Sequence, residues 1–202
     1  MKTVMIVNGA YRPAGHTDQV VSVLSAQLRD HGLAVDTLVL RDVPIAFCHN
    51  CRECLRIEGP TPPPCVIDDA MNPVVERLEA ADAYVFAAPV NVGSVTALFK
   101  RFMERLTVYG IWPPGQAAPR MRKAAVTPKP ALLVSSCAAP GWLGRLWFSI
   151  FRPLRMTARM VGARPVGTLL TGQVVAPAGT ALDGVTRHRT VRLGRRLIRR
   201  LR

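Results

Sequence analysis

Asn8-Gly9-Ala10-Tyr11-Arg12-Pro13-Ala14-Gly15-His16-Thr17 follows an apolar, β-branched run from Thr3 to Val7 and precedes a segment of helical periodicity that starts near Thr17-Asp18. A strand, a glycine-bearing turn and a helix N-terminus together make a seat for an anion. The first helical turn has backbone N–H groups without internal partners, and the helix dipole favours negative charge there. Gly9 and Gly15 let the backbone come close to a ligand. Arg12 offers a charge and Thr17 a hydroxyl. The stretch is neither the dinucleotide fingerprint nor the lysine-bearing P-loop. It suits a mononucleotide, and an ordinary βα turn is the plain alternative.

Outward from this turn, apolar runs alternate with amphipathic stretches. Strands are expected at Thr3–Val7, Ala34–Leu40, Ala83–Ala88, Ala131–Ser135 and Pro165–Leu170. Helices are expected at His16–His31, from Asp68 or Asp69 to about Ala80, at Ser94–Tyr109, at Leu143–Val161 with a kink or restart at Pro153, and at Asp183–Arg202. Residues 111–130 carry five prolines and read as loop. Strands separated by helices imply parallel pairing and right-handed crossovers. The expectation is one domain over residues 1–202, an α/β/α sandwich on a five-stranded parallel sheet. In such sheets ligands bind beyond the C-terminal strand ends.

Composition excludes disorder: 49% of residues are hydrophobic and mean hydropathy is +0.17. The N-terminal apolar run leads into Asn8-Gly9 rather than a small-residue cleavage site, so it reads as a strand and the protein as cytoplasmic. The apolar stretch from Trp142 to Phe151 is too short to span a bilayer. Formal net charge is +14. Residues 1–104 hold 9 basic and 12 acidic side chains, whereas residues 105–202 hold 18 basic and one acidic, Asp183. Such asymmetry suits an anionic partner. The arginines of the last segment leave Gly194, Leu197, Ile198 and Leu201 free to share one face. That pattern favours a helix docked on the sheet over one lying on a membrane.

The segments after strands three and four, Ala88-Pro89-Val90-Asn91-Val92-Gly93-Ser94 and Ser135-Ser136-Cys137-Ala138-Ala139-Pro140-Gly141, are small and nearly uncharged. A flat, neutral ring could lie against them while the first loop holds its phosphate, which points to FMN. Gly9 to Thr17, then Cys48 and Cys65-Val66-Ile67-Asp68-Asp69-Ala70-Met71, then Pro89 to Val95 with Lys100 and Phe102, resemble the NAD(P)H-dependent FMN reductase family over roughly residues 1–175. The branch that includes the iron–sulfur flavoproteins is the most similar. The resemblance implies a flavodoxin-like fold, FMN, and electrons from NAD(P)H. It implies phosphate contacts from Arg12, Gly15, His16 and Thr17, with Gly9 and Tyr11 also at the cofactor. It implies ring contacts from Pro89, Val90, Asn91, Val92, Gly93 and Ser94, and from Ser136, Cys137, Ala138 and Ala139. Asn91 stands where the family usually has an aromatic residue, Glu104 where it usually has Asp, and Ala10 where it usually has Ser.

Cys48-His49-Asn50-Cys51-Arg52-Glu53-Cys54 spaces three thiols evenly, and Cys65 follows within a loop spanning residues 47–66 that carries four prolines. Thiols at this density point to metal or redox chemistry rather than a structural disulfide. Three readings stay open. Cys48, Cys51, Cys54 and Cys65 could ligate a [4Fe–4S] cluster, since a cubane needs four thiolates. They could be vestigial or redox-reactive. Zinc could bind His49 with three thiols.

The function expected is FMN-dependent electron transfer from NAD(P)H to a small-molecule or protein acceptor, with no dedicated acid–base residue and with a homo-oligomer, dimer or tetramer, as the assembly. The alternatives are an iron–sulfur flavoprotein relaying electrons between a cluster and FMN, and a non-catalytic module binding nucleic acid or membrane through the basic half. Nucleic acid is not the favoured partner.

Overall fold

The computed structural model describes residues 1–139, 151–172 and 177–202. Pro140, Gly141, Trp142, Trp147 and the first part of the helix expected from Leu143 lie outside the described residues. The five strands of the main sheet are β1 (Thr3–Asn8), β2 (Ala34–Val39), β3 (Ala83–Ala87), β8 (Lys129–Ser136) and β9 (Ala163–Thr171). Two short hairpins supply β4 (Val90–Asn91) with β5 (Ser94–Val95), and β6 (Gly110–Ile111) with β7 (Arg120–Met121). The helices are α1 (His16–Asp30), α2 (Glu53–Arg56), α3 (Met71–Ala80), α4 (Ala97–Arg105), α5 (Phe151–Met160) and α6 (Gly184–Leu201).

The sheet order is β2-β1-β3-β8-β9 and every pairing is parallel. Burial on both faces explains the near-continuous apolar runs of β1 and β3. One face packs Val4, Ile6, Val85, Leu132 and Val134 against α1 and α6. The other packs Met5, Val7, Tyr84, Phe86 and Leu133 against α3, α4 and α5. The protein is therefore a flavodoxin-like α/β/α sandwich.

α1 buries Val20, Val21, Leu24 and Leu28, a stripe at helical spacing. It stops at Gly32, which adopts φ +75°. The Gly32 N–H bonds to Arg29 O at 2.9 Å and the Leu33 N–H to Leu28 O at 3.2 Å, the paired closure that needs a left-handed residue. α6 is docked, as its pattern implies: Leu193, Gly194, Leu197, Ile198 and Leu201 are buried. A Cβ on Gly194 would lie 2.0 Å from Gln27 Oε1, so the glycine sets how closely α6 approaches α1.

Three expectations need correction. The helix expected over Ser94–Tyr109 begins only at Ala97. Ser94 and Val95 pair with Val90 and Asn91 instead, and the Thr96 hydroxyl caps the helix by accepting from Phe99 N–H at 3.2 Å. The helix expected from Asp68 or Asp69 starts at Met71, with Ala70 at its N-cap; Asp69 stands before it in a turn in which its side chain accepts the Met71 N–H at 2.9 Å. The proline-rich stretch 111–130 is not all loop: Arg120–Met121 pairs with Gly110–Ile111, and β8 begins at Lys129.

Candidate active site

The strand order reverses between β1 and β3, and the loops after β1, β3 and β8 meet there. They enclose a cleft of about 280 Å3. Its lining brings together Tyr11, Arg12, Gly15, His16 and Thr17 from the first loop, Pro89, Val90 and Asn91 from the second, and Ser136, Cys137 and Ala138 from the third. Ala10 and Thr96 also line it, though neither stands among the residues expected from sequence. The signal for Thr96 was present, as a Thr just before an apolar periodic run is a helix-start pattern.

α1 opens onto this cleft with Gly15 at its N-cap, so no side chain caps the first-turn amides. Their dipole and free N–H groups are left for an anion. Gly15 is itself tightly placed, since a Cβ there would lie 3.0 Å from Arg12 O. Asp18, the acidic residue of that turn, is held by other partners. Its carboxylate accepts from Asn8 Nδ2 at 2.6 Å, from the Ala14 N–H at 3.0 Å and from Arg41 at 2.9 Å. The Thr17 and Ser136 hydroxyls lie 2.8 Å apart and tie α1 to the end of β8. Burial pushes the Cys137 thiol pKa up, and its Sγ donates to Ala139 O at 3.2 Å. It is a neutral wall of the cleft.

Five residues expected at the cofactor do not line the cleft: Gly9, Val92, Gly93, Ser94 and Ala139. Gly9 packs against α4, where a Cβ would fall 2.9 Å from Phe99 Cβ, and its carbonyl accepts from the Thr96 hydroxyl at 2.6 Å. Val92 and Gly93 form the two-residue turn of the β4–β5 hairpin, with φ +47° and +76°. Val92 is 98% exposed.

FMN fits this cleft. An uncapped helix N-terminus, Arg12 and Thr17 suit a phosphate, and the neutral walls at Pro89–Asn91 and Ser136–Ala138 suit a flat ring.

The cysteine loop lies on the α4 side of the sheet. Cys54 and Cys65 pack against the core, and Cys51 is exposed. The loop is pinned by two buried arginines that sequence reasoning missed. Arg122 donates to Val108 O, Gly59 O, Cys54 O and Ile57 O at 2.6–2.8 Å. Arg105 pairs with Asp69 and donates to Ala46 O at 3.0 Å. Asn72 clamps Cys65 by accepting its N–H at 2.7 Å and donating to its carbonyl at 3.1 Å. Burial, and then the charges of Cys65, Cys48 and Cys51, push the Cys54 thiol up to about 11. Among the described residues no three His, Cys, Asp or Glu side chains are placed to hold one metal ion.

Residues 1–177 match the family described as NADPH-dependent FMN reductase. An iron–sulfur flavoprotein of Methanosarcina thermophila is 27% identical over 99 residues, 49% of this chain and 49% of that protein. An iron–sulfur flavoprotein of Archaeoglobus fulgidus is 31% identical over 110 residues, 54% of this chain and 47% of that protein. The chain thus spans about half the length of the curated relatives it matches. An NAD(P)H:quinone oxidoreductase from Methanothermobacter marburgensis shares the fold with a TM-score of 0.64 at 16% identity, over 100% of this chain and 99% of that one. The match over residues 1–177 covers the sheet through β9 and all three cleft loops, and the chain belongs to the NADPH-dependent FMN reductase family.

Proposed function

We propose that this protein binds FMN in the cleft between β1, β3 and β8 and passes electrons from NAD(P)H to a small-molecule or protein acceptor. The observation that carries the reading is the uncapped N-terminus of α1 opening on a cleft with otherwise neutral walls. The α1 amides, Arg12 and the Thr17 hydroxyl hold the phosphate. Pro89–Asn91 and Ser136–Ala138 flank the ring and shield one side from water. The chemistry FMN supplies when bound is acceptance of a hydride and its onward delivery as one or two electrons. The chain needs no acid–base side chain for that step. Its basic half attracts the phosphorylated nicotinamide, so NADPH turnover falls as ionic strength rises.

Titration of the purified protein with FMN, read by quenching of flavin fluorescence, tests the reading. Arg12→Ala and Thr17→Val are each expected to weaken binding by about tenfold, the equivalent of one lost charge-assisted hydrogen bond. A wild-type protein that neither binds FMN nor consumes NADPH sinks it.

A second reading places an iron–sulfur centre at Cys48, Cys51, Cys54 and Cys65. It is supported by the four thiols carried in one loop and by the likeness to proteins named iron–sulfur flavoproteins. Iron and sulfide content after anaerobic purification decides it.

A further inference from the structure

On the face of the sandwich that carries α1 and α6, a groove of about 620 Å3 runs along the outer side of α6, beside the end of α1. It is lined by His31, His188, Arg192, Arg195, Arg199 and Arg202, with Val191 and Ile198 completing the wall and no Asp or Glu among the lining residues. On α6 the basic residues are spaced by four, three, four and three, so they share one side of the helix. At about 1.5 Å per residue the row from His188 to Arg202 runs about 20 Å. Its backbone is held in place, because Gln27 Nε2 on α1 donates to Val191 O at 2.9 Å. Lys2 Nζ donates to Leu201 O at 2.5 Å, which sets the end of the row at the N-terminal edge of β1, away from the cleft. The helix dipole favours cations in the last turn, which accounts for Arg199 and Arg200 but not for Arg192 and Arg195. Among the described residues none of these four arginines forms an ion pair.

We infer that this groove is a second binding site, and that it takes the phosphate backbone of a nucleic-acid duplex without regard to base sequence. The inference is independent of the FMN reading. Net charge alone does not single out nucleic acid; the placing of the charges in one concave row does. Guanidinium groups suit phosphate, since the planar fork donates two parallel hydrogen bonds to its oxygens. Over about 20 Å one strand of a duplex presents about six phosphates, enough to engage every arginine of the row. No aromatic side chain lines the groove, so it lacks the stacking platform on which single strands are held. Contacts confined to phosphate carry no sequence information. A bilayer surface is a poorer match, because amphipathic helices bind it by sinking an apolar face as well as by charge. The apolar stripe of α6 is buried in the sandwich, and its exposed large apolar residue, Val185, precedes the row.

The test is fluorescence anisotropy of labelled DNA duplexes of two unrelated sequences, titrated with the full-length protein across a range of NaCl concentrations. Four phosphate contacts predict a log–log salt slope of about −4 and a loss of roughly a hundredfold in affinity between 50 and 200 mM salt, equal for both sequences. The triple variant Arg192→Gln, Arg195→Gln, Arg199→Gln is expected to lose at least about tenfold at 50 mM salt and to flatten the slope by about 3. The control triple Arg152→Gln, Arg155→Gln, Arg159→Gln removes the same charge from exposed positions of α5, on the opposite face, and is expected to change affinity by less than about threefold. In the wild type, duplex should slow amide exchange in α6 and at the end of α1 but not in α5, and this readout decides the matter even if the α6 variant does not fold. The inference is overturned if the wild type does not bind duplex at 50 mM salt, if the two triple variants lose affinity equally, if one sequence binds much more tightly than the other, or if vesicles of phosphatidylglycerol bind more tightly than duplex at equal phosphate concentration.

Discussion

Arg105 and Asp69 form a two-pronged pair, with Nη1 and Nη2 donating to the two carboxylate oxygens at 2.6 and 3.0 Å, and the arginine side chain is completely buried. Asp69 also accepts the N–H groups of Ala46 and Met71. One carboxylate thus joins the start of the cysteine loop, the first turn of α3 and the last turn of α4.

Removing one partner of such a pair leaves the other buried and uncompensated. Asp69→Asn is expected to cost about 3–5 kcal/mol, read from urea unfolding. Burial works to raise the Asp69 pKa, but Arg105 and the two amides hold it below the ordinary carboxylate value of 3.8. Its contribution is therefore full above that value and is lost as pH falls below it. The acid limb of the wild-type stability curve should be steeper than that of Asp69→Asn.

Arg122 holds four carbonyls of and beside the cysteine loop, and among the described residues only carbonyl oxygens accept hydrogen bonds from its guanidinium. Arg122→Met is expected to leave those oxygens unsatisfied and to cost about 3 kcal/mol. Its local signature is faster amide exchange over residues 54–59 than in β1 or β3. With a pKa near 11, Cys54 stays protonated at neutral pH. In the wild type, iodoacetamide at pH 8 should modify exposed Cys51 well before Cys54. The Arg122 variant should narrow that gap. Equal rates in the wild type would contradict this picture of the loop.

Val92 is a β-branched residue in the left-handed region, at the first position of a two-residue hairpin turn. That position favours Asn or Gly. Val92→Asn is expected to stabilise the protein by about 1 kcal/mol in thermal or urea unfolding. FMN affinity should not change, since the side chain is 98% exposed and does not line the cleft.

Gly9→Ala tests the separation of packing from binding in the first loop. The new methyl meets Phe99 Cβ and Cδ2 at about 3 Å, with little room to yield at the start of α4. A loss of about 1–3 kcal/mol in stability is expected. FMN affinity should fall less than in Arg12→Ala. The reverse order would return Gly9 to the phosphate site.

The sheet and the first loop were legible because their signals are local. A β-branched run, a glycine turn and a 3.6-residue period fix β1, the turn and α1 without reference to anything distant. The start of α4 was misplaced because Ser94 and Val95 carry no strand signal alone and form β5 only by pairing with Val90 and Asn91. Gly15 and Ser136, each named from a backbone turn, do line the cleft. Gly9 does not line it, and there the demand for a missing Cβ comes from Phe99, ninety residues away in sequence. Arg105 and Arg122 gave no signal at all. A lone arginine in a helix or a proline-rich stretch looks like surface until the fold supplies its carboxylate or carbonyls.

α6 carries its arginines outward, and among the described residues Arg192, Arg195, Arg196, Arg199 and Arg200 form no ion pair. Spaced three and four residues apart, these guanidinium groups repel one another along the helix. The last layer of the sandwich is thus spring-loaded by its own charge, and multivalent anions such as sulfate should steady it at concentrations where chloride does little.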